Sequence, residues 1–480
     1  MNYKSVLYMV GRILQIEGFL LLLPLIVSLI YNEACAFAFL LAVVIAFAIG
    51  FAVTRIFKQN DQMIFAREGF AIVALAWVVL SLVGALPFYV SREIPSFADA
   101  FFETVSGFTT TGASILENVE VMSKGLLFWR SFTHWVGGMG VLVFVMAIFP
   151  QESGRSIHIM RAEMPGPIVG KIVPKIRDTA KILYLIYIVM TFVEVVFLLF
   201  GGMSLFESLV HSFGTAGTGG FSVKANGIAA YSPYIQWVIT VFMLLFGVNF
   251  NLYYLILIKR FSAAVKSSEL WCYFGIVLAA ITAIAFNIFP LYQNISEVIR
   301  TSSFQVASII TTTGYSTADF ALWPTFSKFI IIALMFIGGC AGSTAGGIKV
   351  SRVLLGFKSV VKDLKKLIHP RSVGTVRYEG KTLDQATSNG IASYFTVYFL
   401  LFFVLLLVLS LEPYDFETIF TAAATCFNNV GPGLSLVGPY GNFGFFSTFS
   451  KYLLSLAMLF GRLEIYPMLL ALTPSFWKKK

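Results

Sequence analysis

Charge is what this chain has least of. Asp, Glu, Lys and Arg together make up 12% of its 480 residues, against 58% hydrophobic residues and a mean hydropathy of +0.83. A soluble domain carries about a quarter charged residues, so a soluble globular class is excluded. Cysteine and histidine are also scarce, with four of each. Cys35, Cys272, Cys340 and Cys426 lie in or beside apolar runs without paired spacing. That pattern indicates neither a disulfide framework nor a zinc site, and it fits small buried residues.

Apolar runs are abundant. A membrane span needs about 20 apolar residues, and ten such runs stand near 13–31, 35–54, 69–90, 125–149, 180–201, 234–258, 270–290, 328–348, 389–411 and 448–472. The first follows Lys4 and Arg12 and precedes "ACA" at 34–36, the outline of a signal peptide. It exceeds the roughly 7–15 apolar residues of a signal core, and further spans follow, so it reads as an uncleaved anchor. An even number of spans puts both termini on one side. With the N-terminus inside, 26 of the 34 Lys and Arg fall on the inner side, seven on the outer side and Arg462 within the last run. That is the positive-inside bias, so the net charge of +10 reports membrane topology and gives no footprint for nucleic acid. About twelve of the 24 acids fall in outer loops, and such a face concentrates cations.

Four polar turns interrupt this pattern: "TTTG" at 109–112, "AGTG" at 216–219, "TTTG" at 311–314 and "NNVG" at 428–431, spaced 95 to 117 residues apart. Each follows a span and a short helix-like segment. Each precedes a span with a central glycine, Gly137, Gly247, Gly338 or Gly461, lying 24 to 30 residues beyond the turn. The short segments, such as 96–107 and 415–427, have about twelve residues, or about 18 Å of helix, too little to cross a bilayer. Pro95 and Ser96 give the first a start signal, and Gly107 and Gly214 sit where the first two should stop. A half-crossing helix followed by non-helical backbone is tolerable only where that backbone is buried in protein or lines water, which describes a re-entrant loop. Each unit crosses twice and returns, so all four loops enter from outside, as parallel repeats around one axis.

Glycine in such a turn adopts φ > 0 without a Cβ penalty, letting successive carbonyls point to one side. Four loops facing an axis make rings of oxygens that replace the hydration shell of an alkali cation, and the C-terminal ends of the short helices favour the same charge. The predicted fold is an all-α integral membrane protein with four parallel span, pore-helix, filter-loop and span repeats around one pore. Two extra N-terminal spans bring the total to ten transmembrane helices. The predicted divisions are an N-terminal pair (1–66), repeat 1 (67–152), a cytoplasmic linker (153–179), repeat 2 (180–262), repeat 3 (263–356), a second linker (357–388) and repeat 4 (389–480).

Around these loops the chain carries "FFETVSGFTTTGAS" from Phe101, "WRSFTHWVGGMG" from Trp129, "GTAGTGGFS" from Gly214, "GGCAGSTAGGIK" from Gly338, "CFNNVGPGLS" from Cys426 and "GRLEIYP" from Gly461. Through them nearly the whole chain resembles the superfamily of Trk, Ktr and plant HKT potassium transporters, most closely its bacterial TrkH and TrkG type. The resemblance implies potassium uptake across the bacterial cytoplasmic (inner) membrane. It implies filter oxygens from Thr110, Thr111 and Gly112; Gly217, Thr218 and Gly219; Thr312, Thr313 and Gly314; and Asn429, Val430 and Gly431. The fourth loop departs from Thr-Thr-Thr-Gly in a way the family shares. A glycine in every repeat resembles the potassium-selective members. The resemblance further implies a homodimer and a cytoplasmic TrkA-like ring that binds nucleotide. No covalently bound cofactor and no catalytic residue is required.

The stretch Gly338 to Gly347 has two readings, a small-residue packing surface or a broken helix. Five glycines each weaken a helix by about 1 kcal/mol relative to alanine. The broken form is favoured, as a gating loop beneath the filter built from Gly338, Gly339, Gly342, Ser343, Thr344, Gly346 and Gly347. Lys349 either acts with that loop or marks the end of the span. Arg462 stands mid-span at a cost of about 2.5–3.5 kcal/mol, which calls for water or a partner and favours a pore-facing role. Glu464 is two positions on and points elsewhere. His134 and His211 suit packing more than proton carriage, and Glu17 and Glu194 carry no assigned role. The linker 357–388 is a basic loop near anionic lipid, with hairpin character around Gly380 that would receive the regulatory subunit. Two other functions stand beside potassium uptake: a sodium pathway or ion-coupled symporter of the same architecture, and a membrane enzyme using His134 or His211.

Overall fold

The apolar runs become helices. The computed structural model describes residues 1–57, 65–140, 176–371, 374–383 and 385–478, and among these the only sheet is one two-stranded hairpin. The linker 153–179 lies outside the described residues apart from its last four, as does the part of the run 125–149 beyond Gly140. Helices Tyr3–Ile30 and Ala36–Ile56 pack together. Gly11 and Gly50 meet at their contact, where a Cβ on Gly50 would stand 2.9 Å from the Gly11 carbonyl oxygen. Small residues let the two backbones close up.

A long helix, a short helix, a turn and a second helix then follow one another four times. The helices are Ala66–Gly84, Phe97–Phe108 and Lys124–Gly138; Ile176–Phe200, Leu205–Gly217 and Pro233–Phe246; Ser268–Ile288, Ile295–Ile310 and Thr325–Ile337; and Gln385–Leu409, Phe416–Asn428 and Thr448–Arg462. Three of the four short helices begin at a side-chain cap. Ser96 Oγ accepts from Asp99 N, Ser204 forms a capping box with Glu207, and Asp415 Oδ2 accepts from Thr418 N at 3.0 Å. These bonds satisfy amides that the first turn leaves orphaned.

The short helices do not end at the glycines expected to stop them. The first runs to Phe108, one residue past Gly107, and the second passes through Gly214 to Gly217. Both glycines serve close packing instead. A Cβ on Gly107 would meet the Thr133 hydroxyl, and one on Gly214 the Tyr315 hydroxyl.

The second helix of each set packs against the short helix of the next. Lys124–Gly138 lies on Leu205–Gly217, Pro233–Phe246 on Ile295–Ile310, and Thr325–Ile337 on Phe416–Asn428, while Thr448–Arg462 returns to Phe97–Phe108. Ion pairs staple two of these seams, Lys328 to Glu417 at 3.3 Å and Lys451 to Asp99 at 2.5 Å.

The sequence foresaw one broken span, yet all four second helices stop at or beside their central glycine. They end at Gly138, at Phe246 before Gly247, at Ile337 before Gly338 and at Arg462 after Gly461. The reason is proximity: a Cβ on Gly137 would fall on the Phe108 carbonyl oxygen and one on Gly461 on that of Phe427, at the ends of their own short helices. Pro233–Phe246 continues into Phe250–Leu257 after a 90° bend. Six described helices are long and apolar enough to cross a membrane, and this bent pair makes a seventh when taken together.

Beyond the third set, Val350–Ile368 extends helix into the region read as a loop. Its apolar residues Val353, Phe357, Val360, Val361, Leu364 and Ile368 repeat at helical spacing. The expected hairpin forms, with Tyr378 opposite Lys381 and Arg377 opposite Thr382.

Candidate ion-binding site

Each short helix ends in the same way. The amides of Thr111, Gly219, Thr313 and Val430 donate five residues back, to the carbonyls of Ser106, Gly214, Ser308 and Thr425, at 2.8 to 2.9 Å. The preceding residue is left-handed in every case: Thr110 at φ 55°, Thr218 at 56°, Thr312 at 56° and Asn429 at 56°. Asparagine tolerates this region, whereas a β-branched threonine is strained there by about 1–3 kcal/mol. Strain stored at the same place three times over marks a functional constraint.

This geometry fixes the alignment of the loops. Gly112, Gly220, Gly314 and Gly431 are equivalent, with φ of 78°, 76°, 83° and 101°. The second loop therefore sits one residue later than its letters suggested. Gly217 is the last helical residue, Thr218 is the left-handed cap, Gly219 matches Thr111, and Gly220, which the sequence reading left out, completes the turn.

The four loops close a ring. A Cβ on Gly112 would fall on the carbonyl oxygen of Gly219, one on Gly220 on that of Thr313, one on Gly314 on that of Val430, and one on Gly431 on that of Thr111. Glycine is needed in every quadrant because the next loop's carbonyl occupies the space a side chain would take. Thr110 Oγ1 is buried at this ring without a hydrogen-bond partner among the described residues, whereas Asn429 Oδ1, likewise unpartnered there, faces Gly461 of the helix behind the loop. An unpaired buried oxygen such as that of Thr110 is what a bound cation satisfies. The Thr111 and Thr313 hydroxyls turn back instead to those of Thr109 and Thr311, each at 2.8 Å.

Side chains behind the ring brace it. Arg130 pairs with Glu103 at 2.5 Å, lies 3.5 Å over the Phe221 ring and donates to Ser222 O. Glu103 also accepts from Ser114 Oγ and Ile115 N, each at 3.0 Å, so one buried pair ties together the limbs that follow the turns of the first two loops. His134 Nδ1 lies 2.8 Å from Gly107 O, and its ring fills the place of a Gly219 side chain. His211 bridges Glu207 O and Ser222 Oγ. Among the described residues neither histidine bonds a carboxylate side chain. Glu17 and Glu194 are fully buried; Glu17 lies beside Gly84 without a hydrogen-bond partner among the described residues, and Glu194 faces the Thr215 hydroxyl.

Cavities lie on both sides of the ring. The first is lined by Gly112, Ser114, Arg130, Gly220, Gly314 and Gly431 together with the limbs that follow them. The second is lined by Gly138, Gly346, Lys349, Gly461 and Arg462.

Between the second cavity and the ring runs the non-helical segment 338–349. Gly338, Gly342 and Gly347 adopt φ of 73°, 72° and 73° there, and the helix resumes at Val350. Gly346 N donates to Thr312 Oγ1 at 2.6 Å and Gly347 N to Asn428 O at 3.1 Å, so the segment is bonded directly to two of the loops above it. Gly339 O accepts from Val350 N, Gly342 O accepts from Phe250 N, Ser343 Oγ donates to Cys340 O, and Thr344 Oγ1 donates to Phe246 O. Lys349 Nζ donates to Ala345 O and is buried. Arg462 donates to Thr344 O at 2.8 Å, to Gly137 O at 2.5 Å and to Gly138 O at 2.6 Å. It thus joins the segment to the end of the first set's second helix. Glu464 pairs elsewhere, with Arg352.

Two stretches, 36–271 and 268–479, match the family described as TrkH, cation transport protein. The chain belongs to the TrkH family. Curated TrkH-family relatives align over 100% of both chains: the Trk system potassium uptake protein TrkH of Escherichia coli strain K12 is 36% identical, and that of Vibrio parahaemolyticus 34%. The TrkG protein of E. coli strain K12 is 33% identical over 99% of each chain. Among solved structures, the potassium transporter TrkH from V. parahaemolyticus superposes with a TM-score of 0.89 at 33% identity, covering both chains fully. Family and apolar helices together make this a multi-pass, all-α membrane protein.

Proposed function

We propose that this TrkH-family protein takes up potassium across the bacterial cytoplasmic membrane, with the ring of four loops as its selectivity filter. The observation that carries this reading is the closed succession of glycine against carbonyl from Gly112 around to Gly431 and back to Thr111. The relatives named as potassium uptake proteins support the ion. Glycine in every quadrant supports potassium over sodium. In this reading the chain crosses the membrane ten times as four parallel repeats plus an N-terminal pair, with both termini cytoplasmic. The segment 338–349 is the barrier beneath the filter, and Arg462 and Lys349 add positive charge to it. A homodimer whose basic linker lies near lipid, regulated by a cytoplasmic nucleotide-binding ring at the hairpin, completes the proposal.

The test is rubidium and potassium uptake into cells stripped of their own uptake systems, with sodium as competitor. Uptake that saturates with potassium and resists sodium is expected. Sodium competing as an equal would move the reading to a sodium pathway.

A further inference from the structure

One carboxylate connects the segment 338–349 to the hairpin. Glu269 opens the helix Ser268–Ile288 and is buried, with 2% of its surface exposed. Its Oε1 accepts from Ala341 N at 2.7 Å and from Ser351 N at 3.2 Å. These two amides lie near the two ends of the non-helical segment, so a single oxygen brackets it. Oε2 accepts from the Tyr378 hydroxyl at 3.1 Å, and Tyr378 is a buried residue of the first hairpin strand.

The hairpin grips the same helix end a second time. Glu379 and Gly380 form its turn at φ 47° and 75°, and Glu379 Oε1 accepts from Ser267 Oγ, Ser268 Oγ and Glu269 N. The hairpin is itself seated on a small core of Leu355, Val376, Tyr378 and Ile391. Hydrogen bonds to a charged acceptor are the stronger kind, and leaving such an acceptor buried and unpaired is costly. Moving the hairpin therefore strips Glu269 of its third donor and its helix of a cap, which loosens the group that holds the segment.

We propose that Glu269 is a positioning residue through which the hairpin sets the conformation of the segment 338–349. The inference rests on the reading of that segment as a barrier, and its test separates the two. In the full-length protein in lipid nanodiscs, hydrogen exchange would be followed on peptides containing Ala341 and Ser351, and rubidium flux on the same variants in proteoliposomes.

Tyr378→Phe removes only a hydroxyl and is expected to speed exchange in those peptides about tenfold, with basal flux rising alongside. Glu269→Gln should do the same, and the double variant should add nothing, as befits one shared path. Unchanged exchange in Tyr378→Phe, or additive effects in the double variant, overturns the proposal. Faster exchange with unchanged flux upholds Glu269 as the link and overturns the barrier reading. Should Glu269→Gln fail to reach the membrane, Tyr378→Phe decides together with Glu379→Gln, which is expected to act in the same direction.

Discussion

The side-chain amide of Asn429 donates to the Thr111 hydroxyl at 2.9 Å, joining the fourth loop to the first across 318 residues of chain. The same amide donates to Met458 O at 2.9 Å. Asparagine is suited to this place twice over, because it tolerates the left-handed backbone and reaches both acceptors. Asn429→Ala removes both bonds and should destabilise the protein by about 1–3 kcal/mol, read as a lower thermal midpoint in detergent. Potassium preference over sodium should fall with it.

The ring geometry predicts a sharp difference between adjacent glycines. Gly112→Ser and Gly220→Ser each drive a side chain into the next loop's carbonyl and should lower the potassium-to-sodium preference in competition for rubidium uptake while protein still reaches the membrane. Gly219→Ser strikes the His134 ring instead and should chiefly reduce the yield of folded protein. Ala113→Ser, beside the ring, should alter selectivity much less. A loss of selectivity confined to Gly219 would restore the alignment that the letters alone suggest.

Arg462 contributes three charge-assisted bonds to carbonyls beneath the ring. Arg462→Ala should free Thr344, remove a positive charge from the cavity it lines and, on the proposed reading, raise basal flux several-fold in proteoliposomes. Ion preference should not change, because no ring residue is touched. A variant that only loses expression would assign Arg462 to stability alone.

The buried pair of Arg352 and Glu464 predicts a thermodynamic cycle. Arg352 also lies over the Tyr394 ring at 4.2 Å, so it is held from two sides. Arg352→Met or Glu464→Gln alone leaves a charge without its partner and should cost about 3–5 kcal/mol, whereas the double variant should recover much of that loss. Thermal unfolding of the four proteins measures the coupling.

Much of this was legible in the sequence because the membrane narrows the choices. Seven of the ten apolar runs coincide with described helices, or the one bent pair, long and apolar enough to cross a membrane, the polar turns and mid-run glycines mark helix ends, and the five glycines between Gly338 and Gly347 sit where the helix Thr325–Ile337 has ended. The register of the second loop was not legible. "AGTG" and "TGG" overlap, and only the left-handed Thr218 shows which glycine matches Gly112. The strained threonines were hidden for a similar reason, since φ > 0 is ordinarily read from glycine. The brace of Arg130 and Glu103 was also missed. The two residues stand 27 apart in sequence, and nothing but folding brings an arginine in "WRSF" against a glutamate in "FFET". The doubled Gly219 and Gly220 marks the place where two registers compete without choosing between them.

The closure of the ring also sets an order of events. Each loop leans on the one that follows it, so the first three glycines meet their carbonyls as synthesis proceeds, but Gly431 must find Thr111 more than 300 residues behind it. The chain's earliest loop is thus without its last neighbour until its latest loop has been made. A chain interrupted just before the fourth short helix, Phe416–Asn428, has three of the four loops, and its ring cannot close. The arrival of Asn429 beside Thr111 is therefore the last contact that the ring can make as the chain is synthesised.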